Sequence, residues 1–139
     1  YAKGPWSNYI DRQRGSLLGL YKTTVDGMFE EQSAPQTMGD RQGLRQLTLN
    51  NNSTKLQITT EGMVAFSLSH FDDAQFNYDV FYGGKHPYDL VRSNQIFAHF
   101  DFWQRGIGNR SCGGDSCLPQ YMTPTGAHEF TLRFTPMAK

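Results

Sequence analysis

Cysteine is nearly absent from this chain: Cys112 and Cys117 are the only two in 139 residues. Two thiols cannot make the disulfide framework that staples small secreted domains. They are separated by Gly113, Gly114, Asp115 and Ser116, so a local bridge, free thiols and half of a metal site all stay open. Charge of either sign in excess is also missing. Thirteen basic residues balance thirteen acidic ones, and the sequence pI is about 7.1. This removes the electrostatic argument for nucleic acid or an anionic membrane as partner. No apolar run approaches the 18 or so residues of a bilayer-spanning helix. A basic-then-apolar leader is lacking too, so no targeting signal is expected in these residues and the compartment stays open. The chain opens on Tyr1 rather than Met, and the expectation is a piece of a longer product.

What is present is alternation. Leu56 and Ile58 alternate with polar neighbours, as do Val64, Phe66 and Leu68. Ile96, Ala98, Phe100 and Phe102 form a third set, and Phe130, Leu132 and Phe134 a fourth. Period-2 spacing places one set on a buried face of a strand and the other toward solvent or a second layer. The last three sets are therefore expected to build the core. Leu44 to Leu49 is a fifth strand candidate, and Leu17 to Val25 a sixth, weakened by Gly19. Asn50-Asn51-Asn52-Ser53 reads as a hairpin loop, and Glu61-Gly62, Gly83-Gly84 and Gly126 mark further turns. One short helix is expected near residues 70–76, where Ser69 precedes Asp72 by three and Phe71, Ala74 and Gln75 follow. The fold class predicted is all-β: one antiparallel β sandwich over residues 1–139.

Few residues advertise chemistry. Asp72-Asp73 and Glu30-Glu31 are adjacent pairs, and strand neighbours point to opposite faces, so both read as solvated charge rather than a catalytic dyad. His70, His86, His99 and His128 lack metal-ligand spacing. Trp6 and Trp103 read as core or domain-interface residues more readily than as platforms for a ligand.

Four segments in one order carry a resemblance. They are Gly4-Pro5-Trp6-Ser7-Asn8-Tyr9-Ile10-Asp11-Arg12, Pro35-Gln36-Thr37-Met38-Gly39-Asp40-Arg41, His86-Pro87-Tyr88-Asp89-Leu90, and Gly106 to Gly113 followed by Leu118-Pro119-Gln120-Tyr121. Together they resemble the C-terminal domain of family 2 β-galactosidases. The resemblance implies about the C-terminal half of a large antiparallel supersandwich, within a multidomain retaining glycoside hydrolase. The partner it implies is the catalytic barrel upstream in the same chain. Retaining hydrolysis uses two carboxyl groups about 5–5.5 Å apart; no carboxylate here matches a family catalytic motif, so no catalytic residue is assigned.

In the family the glycine-rich loop reaches the sugar pocket. On that footing Ser111, Cys112 and Gly113, with Thr37 and Met38 from the other loop, are the candidate substrate-lining residues. Plain connection by the glycine-rich loop is the alternative. Some relatives carry Glu and Asn where Thr37 and Met38 stand and use the carboxylate near a cation. Thr and Met are poor ligands for Mg²⁺, so neither metal nor cofactor is expected. Ser7 replaces a usual Glu, and the polar contact of that Glu should be lost. The leading expectation is an accessory domain that helps wall a galactoside pocket. A free-standing carbohydrate-binding module and a purely structural interaction domain are the alternatives.

Overall fold

The computed structural model describes residues 1–31, 38–76, 85–108 and 117–138. Its strands are β1 (Ala2–Gly4), β2 (Leu17–Gly19), β3 (Gln46–Asn50), β4 (Lys55–Glu61), β5 (Ala65–Ser69), β6 (Phe97–Asp101) and β7 (Thr131–Met137). All pairings are antiparallel: β1 with β2, β3–β4–β7 in a three-stranded sheet, and β5 with β6. Among the described residues there is no α-helix, only single 3₁₀ turns. The helix expected near residues 70–76 is one of these, Asp73–Phe76. Asp72 starts it by accepting a hydrogen bond from the Ala74 N–H, a local bond that favours a turn over a continuing helix.

The fold is an antiparallel sandwich whose first layer is joined by an irregular strip, residues 40–45. On one side Lys3 N–H donates to Gln42 O at 3.0 Å and Arg45 N–H to Tyr1 O at 2.9 Å. On the other, Arg41 and Phe66 exchange both backbone bonds, at 2.9 and 3.0 Å, and Leu44 N–H donates to Val64 O. The strip thus links β1 to β5, and Leu44 in it is wholly buried. The chain then crosses to the second layer, where Thr60 donates its hydroxyl to Leu44 O and its N–H to Arg45 O.

The β3–β4 hairpin follows the expected turn. Asn51 Oδ1 accepts from the N–H groups of Ser53 and Thr54 at 2.9 and 2.7 Å, which folds the loop on a side chain. In the three-stranded sheet Leu47, Ile58 and Phe134 stand in one row, and Leu49, Leu56 and Pro136 in the next row on the same face. The opposite face carries Thr48, Gln57 and Thr135, then Gln46, Thr59 and Arg133. Alternation of this kind marks a sheet wetted on one side.

Packed between the layers are Ala2, Met28, Leu44, Val64, Phe66 and Leu68, with Leu47, Leu49, Phe100 and Leu132 against them. Val64, Phe66 and Leu68 are core, as their spacing predicts. The other two expected sets are only partly so. Ile96 is 44% exposed, Phe130 37% and Phe134 53%, and Ala98 is exposed. Parity is right, since Phe100 pairs with Phe66 and Phe134 with Ile58. What is missing is cover. β6 and β7 are edge strands, and Phe134 finds little beyond an edge-to-face contact with Phe100 at 6.2 Å. The turn expected at Gly83-Gly84 lies outside the described residues.

These burials set a stability order. Phe66→Ala should cost about 3–5 kcal/mol and Ile58→Ala about 2–5 kcal/mol in denaturant melts of the 139-residue chain. Phe134→Ala, with half its ring already in water, should cost about 1 kcal/mol. An equal loss at Phe66 and Phe134 would mean that the open face is covered.

Candidate functional site

The first resemblance segment folds into a polar knot. Pro5 follows a cis peptide bond, and the chain then turns inward at Asn8, which has no exposed surface. The Asn8 amide donates to Lys3 O at 3.2 Å and Trp6 O at 3.1 Å, while its Oδ1 accepts from Gln42 N–H at 3.0 Å. Its own N–H donates to Asp40 O at 2.8 Å. One side chain therefore satisfies backbone groups on both segments, in a place where water cannot.

Beside it lies Arg41, 6% exposed. Its guanidinium donates to three backbone carbonyls, those of Met28, Gly39 and Pro5. Glu30 approaches Arg41 at 4.0 Å and accepts from the Ser7 N–H at 2.9 Å and the Ser7 hydroxyl at 2.5 Å. Burial pulls the Arg41 guanidinium below its ordinary value, with Glu30 and Asp40 opposing that shift. Glu30 is thus no solvated charge. Ser7 thereby has a carboxylate partner supplied by another segment. Gly39, with φ of +79°, is forced by crowding: a Cβ there would stand 2.7 Å from Met28 O.

Asp40 is 1% exposed. Its Oδ2 accepts from the Gln42 amide at 2.6 Å, and Oδ1 has no hydrogen-bond partner among the described residues. Burial raises its pKa from 3.8 to about 7, more than the Gln42 hydrogen bond lowers it. Tyr9, in the same knot, is raised by burial and then by Asp40 and Glu30.

The segment ends in a second device. Arg12 N–H donates to Tyr9 O at 2.8 Å, closing a tight turn that Gln13 braces by donating to Ile10 O. Asp11 projects from this turn toward the start of the glycine-rich segment. Its Oδ2 accepts from Gly108 N–H at 2.7 Å. Gly106 N–H donates to Tyr121 O at 3.0 Å, which joins the stretch before residues 109–116 to the stretch after them. An open groove of about 460 Å³ lies alongside, lined by Lys3, Asp11, Arg12, Arg14 and Tyr121 among others.

Of the sequence-chosen lining residues, Thr37, Ser111, Cys112 and Gly113 lie outside the described residues. Met38 is half-buried and lines a narrow cleft with Phe29, Ser67, Asp73, Phe76 and His99. In that cleft His99 Nε2 lies 3.1 Å from Asp73 Oδ1, so Asp73 too has a partner. Cys117 is a buried free thiol against the Met122 sulfur. Trp6 is 73% exposed and so is not core, whereas Trp103 is half-buried. Asn8, Asp11, Asp40 and Arg41 all stand inside the resemblance segments, but nothing in their spacing marks them apart from the other residues there. Glu30 carried no sequence signal, since its pairing with Ser7 spans 23 residues.

A family model described as β-galactosidase small chain matches residues 1–135. The chain belongs to that family. Proteins named β-galactosidase are similar to it across most of its length. The Vibrio vulnificus protein is 25% identical over 98% of this chain, and that of Aeromonas hydrophila 29% identical over 91%. The Staphylococcus xylosus protein is 27% identical over 81%. The small-chain region here spans only 11–12% of the length of these relatives.

The Asp40 carboxyl gives the knot a pH dependence. The native state holds this proton up to about pH 7, whereas an unfolded Asp releases it near its ordinary 3.8. Between those values the native state binds more protons, so this group's contribution to stability falls as pH rises through the window. In thermal melts from about pH 5 to pH 8, Asp40→Asn should flatten the decline in Tm and raise Tm most at the alkaline end. A parallel decline in both proteins would assign it to other groups.

Proposed function

We propose that these 139 residues form one accessory β-sandwich domain of a retaining β-galactosidase, placed beside the catalytic barrel and helping to wall the outer sugar subsite. The family match over residues 1–135 carries this reading. Two further observations support it. Large apolar side chains, among them Trp6, Leu17, Leu20, Phe130 and Phe134, are exposed, and in this reading neighbouring parts of the enzyme cover them. Gly106 and Gly108, which precede residues 109–116, are fastened through their N–H groups to Tyr121 O and the Asp11 carboxylate. In this reading Ser111, Cys112 and Gly113 line the subsite, with Thr37 and Met38 nearby. The galactoside is held mainly by the barrel, and this chain contributes neither catalytic carboxylate, metal nor cofactor.

Two experiments test it. The isolated chain at high concentration should show no turnover of a chromogenic galactoside. Activity that survives contamination controls would place chemistry in these residues. In the full-length enzyme, Cys112→Trp should add a stacking surface worth on the order of 1 kcal/mol for a well-placed ring. Disaccharide binding should tighten while small aryl galactosides change little. Equal effects on both substrates, or none, would remove residues 111–113 from the sugar site.

A further inference from the structure

We infer that Asp11 is a positioning residue: its carboxylate fixes the path of Gly106-Ile107-Gly108 and thereby the direction in which the chain sets out toward the sugar-lining residues. The inference rests on the reading that Ser111 to Gly113 line the outer subsite, and it goes beyond that reading by assigning specificity to a residue outside the loop.

Three observations converge on this carboxylate. Asp11 Oδ2 accepts the Gly108 N–H at 2.7 Å, a charge-assisted bond across 97 residues of sequence. The approach leaves no room for a side chain at Gly106 and little at Gly108. A Cβ on Gly106 would stand 2.5 Å from Asp11 Oδ2 and 3.0 Å from the Tyr121 Cβ; on Gly108 it would stand 3.0 Å from Oδ2. Gly106 is buried although Ile107 and Gly108 are exposed, so the carboxylate grips the stretch where it leaves the body of the domain. The Gly106–Tyr121 bond closes the base from the other side. The turn that carries Asp11 is itself held by the Tyr9–Arg12 bonds and by Gln13. A rigid turn gripping a side-chain-free segment fixes geometry where glycine alone would leave it loose.

A misplaced lining loop should weaken only the substrate that reaches it. In the full-length enzyme, Asp11→Ala is expected to speed deuterium exchange at the Gly108 amide and to raise KM for a disaccharide about five- to tenfold, with KM for a small aryl galactoside within about twofold. Asp11→Asn keeps an acceptor oxygen of the same shape and should restore most of both properties. It also guards against a fold defect in the alanine variant. Unchanged exchange in Asp11→Ala, or an asparagine variant as impaired as alanine, would overturn the positioning role and leave the Cys112→Trp result standing on its own. Faster exchange with both KM values unmoved, together with a silent Cys112→Trp, would instead overturn the subsite reading on which the inference stands. Equal rises in both KM values would mean that Asp11 serves only the fold.

Discussion

The structure turns on one buried amide. Asn8 takes the place of a backbone partner where the strip of residues 40–45 would otherwise face an incomplete neighbour, accepting from Gln42 N–H and donating to Lys3 O and Trp6 O. Each of those groups left unpaired out of water would cost about 1–3 kcal/mol. An apolar residue of similar size could fill the space but would strand all of them. The strip that Asn8 braces is also what joins β1 to β5, alongside the Lys3–Gln42 and Arg45–Tyr1 backbone bonds.

Around this amide the polar residues divide the work by chemistry. Arg41 has only donors to offer and is met by three carbonyls, with a carboxylate nearby but not in bidentate contact. A planar guanidinium suits this because its N–H groups point outward in one fixed fork. Asp40 has only acceptors when ionised and finds one donor in Gln42, so burial keeps it protonated to about pH 7. Ser7 donates both its N–H and its hydroxyl to the Glu30 carboxylate, which ties the first segment to a residue 23 positions away.

The apolar surface points outward. Leu17, Leu20, Trp6 and Phe134 are exposed while Leu44, Ile58 and Val64 are sealed. Edge strands explain part of this, because a two-stranded sheet cannot cover a three-stranded one. The rest fits a chain that spans about a ninth of its relatives' length. At the glycine-rich segment the fastening is made within this chain, Gly108 N–H to the Asp11 carboxylate and Gly106 N–H to Tyr121 O.

Much of the fold was legible because strand parity is a local property. Val64, Phe66 and Leu68, the turn at Asn51, and the pairing face of Phe100 and Phe134 follow from alternation and turn chemistry alone. The resemblance segments also identified the family from residue types in order. Burial was not legible at Phe134, because parity says which way a side chain points and not whether a second layer lies over it. Nor was the short strand β1, three residues stabilised by pairing on both sides rather than by any pattern of its own. The sequence by itself determined an all-β chain, its main strands and its kinship. Only the tertiary structure decided that Glu30 serves Ser7, that Asp40 is shut away from water, and that Asp11 meets Gly108. The Glu30–Ser7 and Asp11–Gly108 bonds join residues distant along the chain, and Asp40 is sealed by what packs over it; both are matters of distance and direction in space, which no spacing in the sequence records.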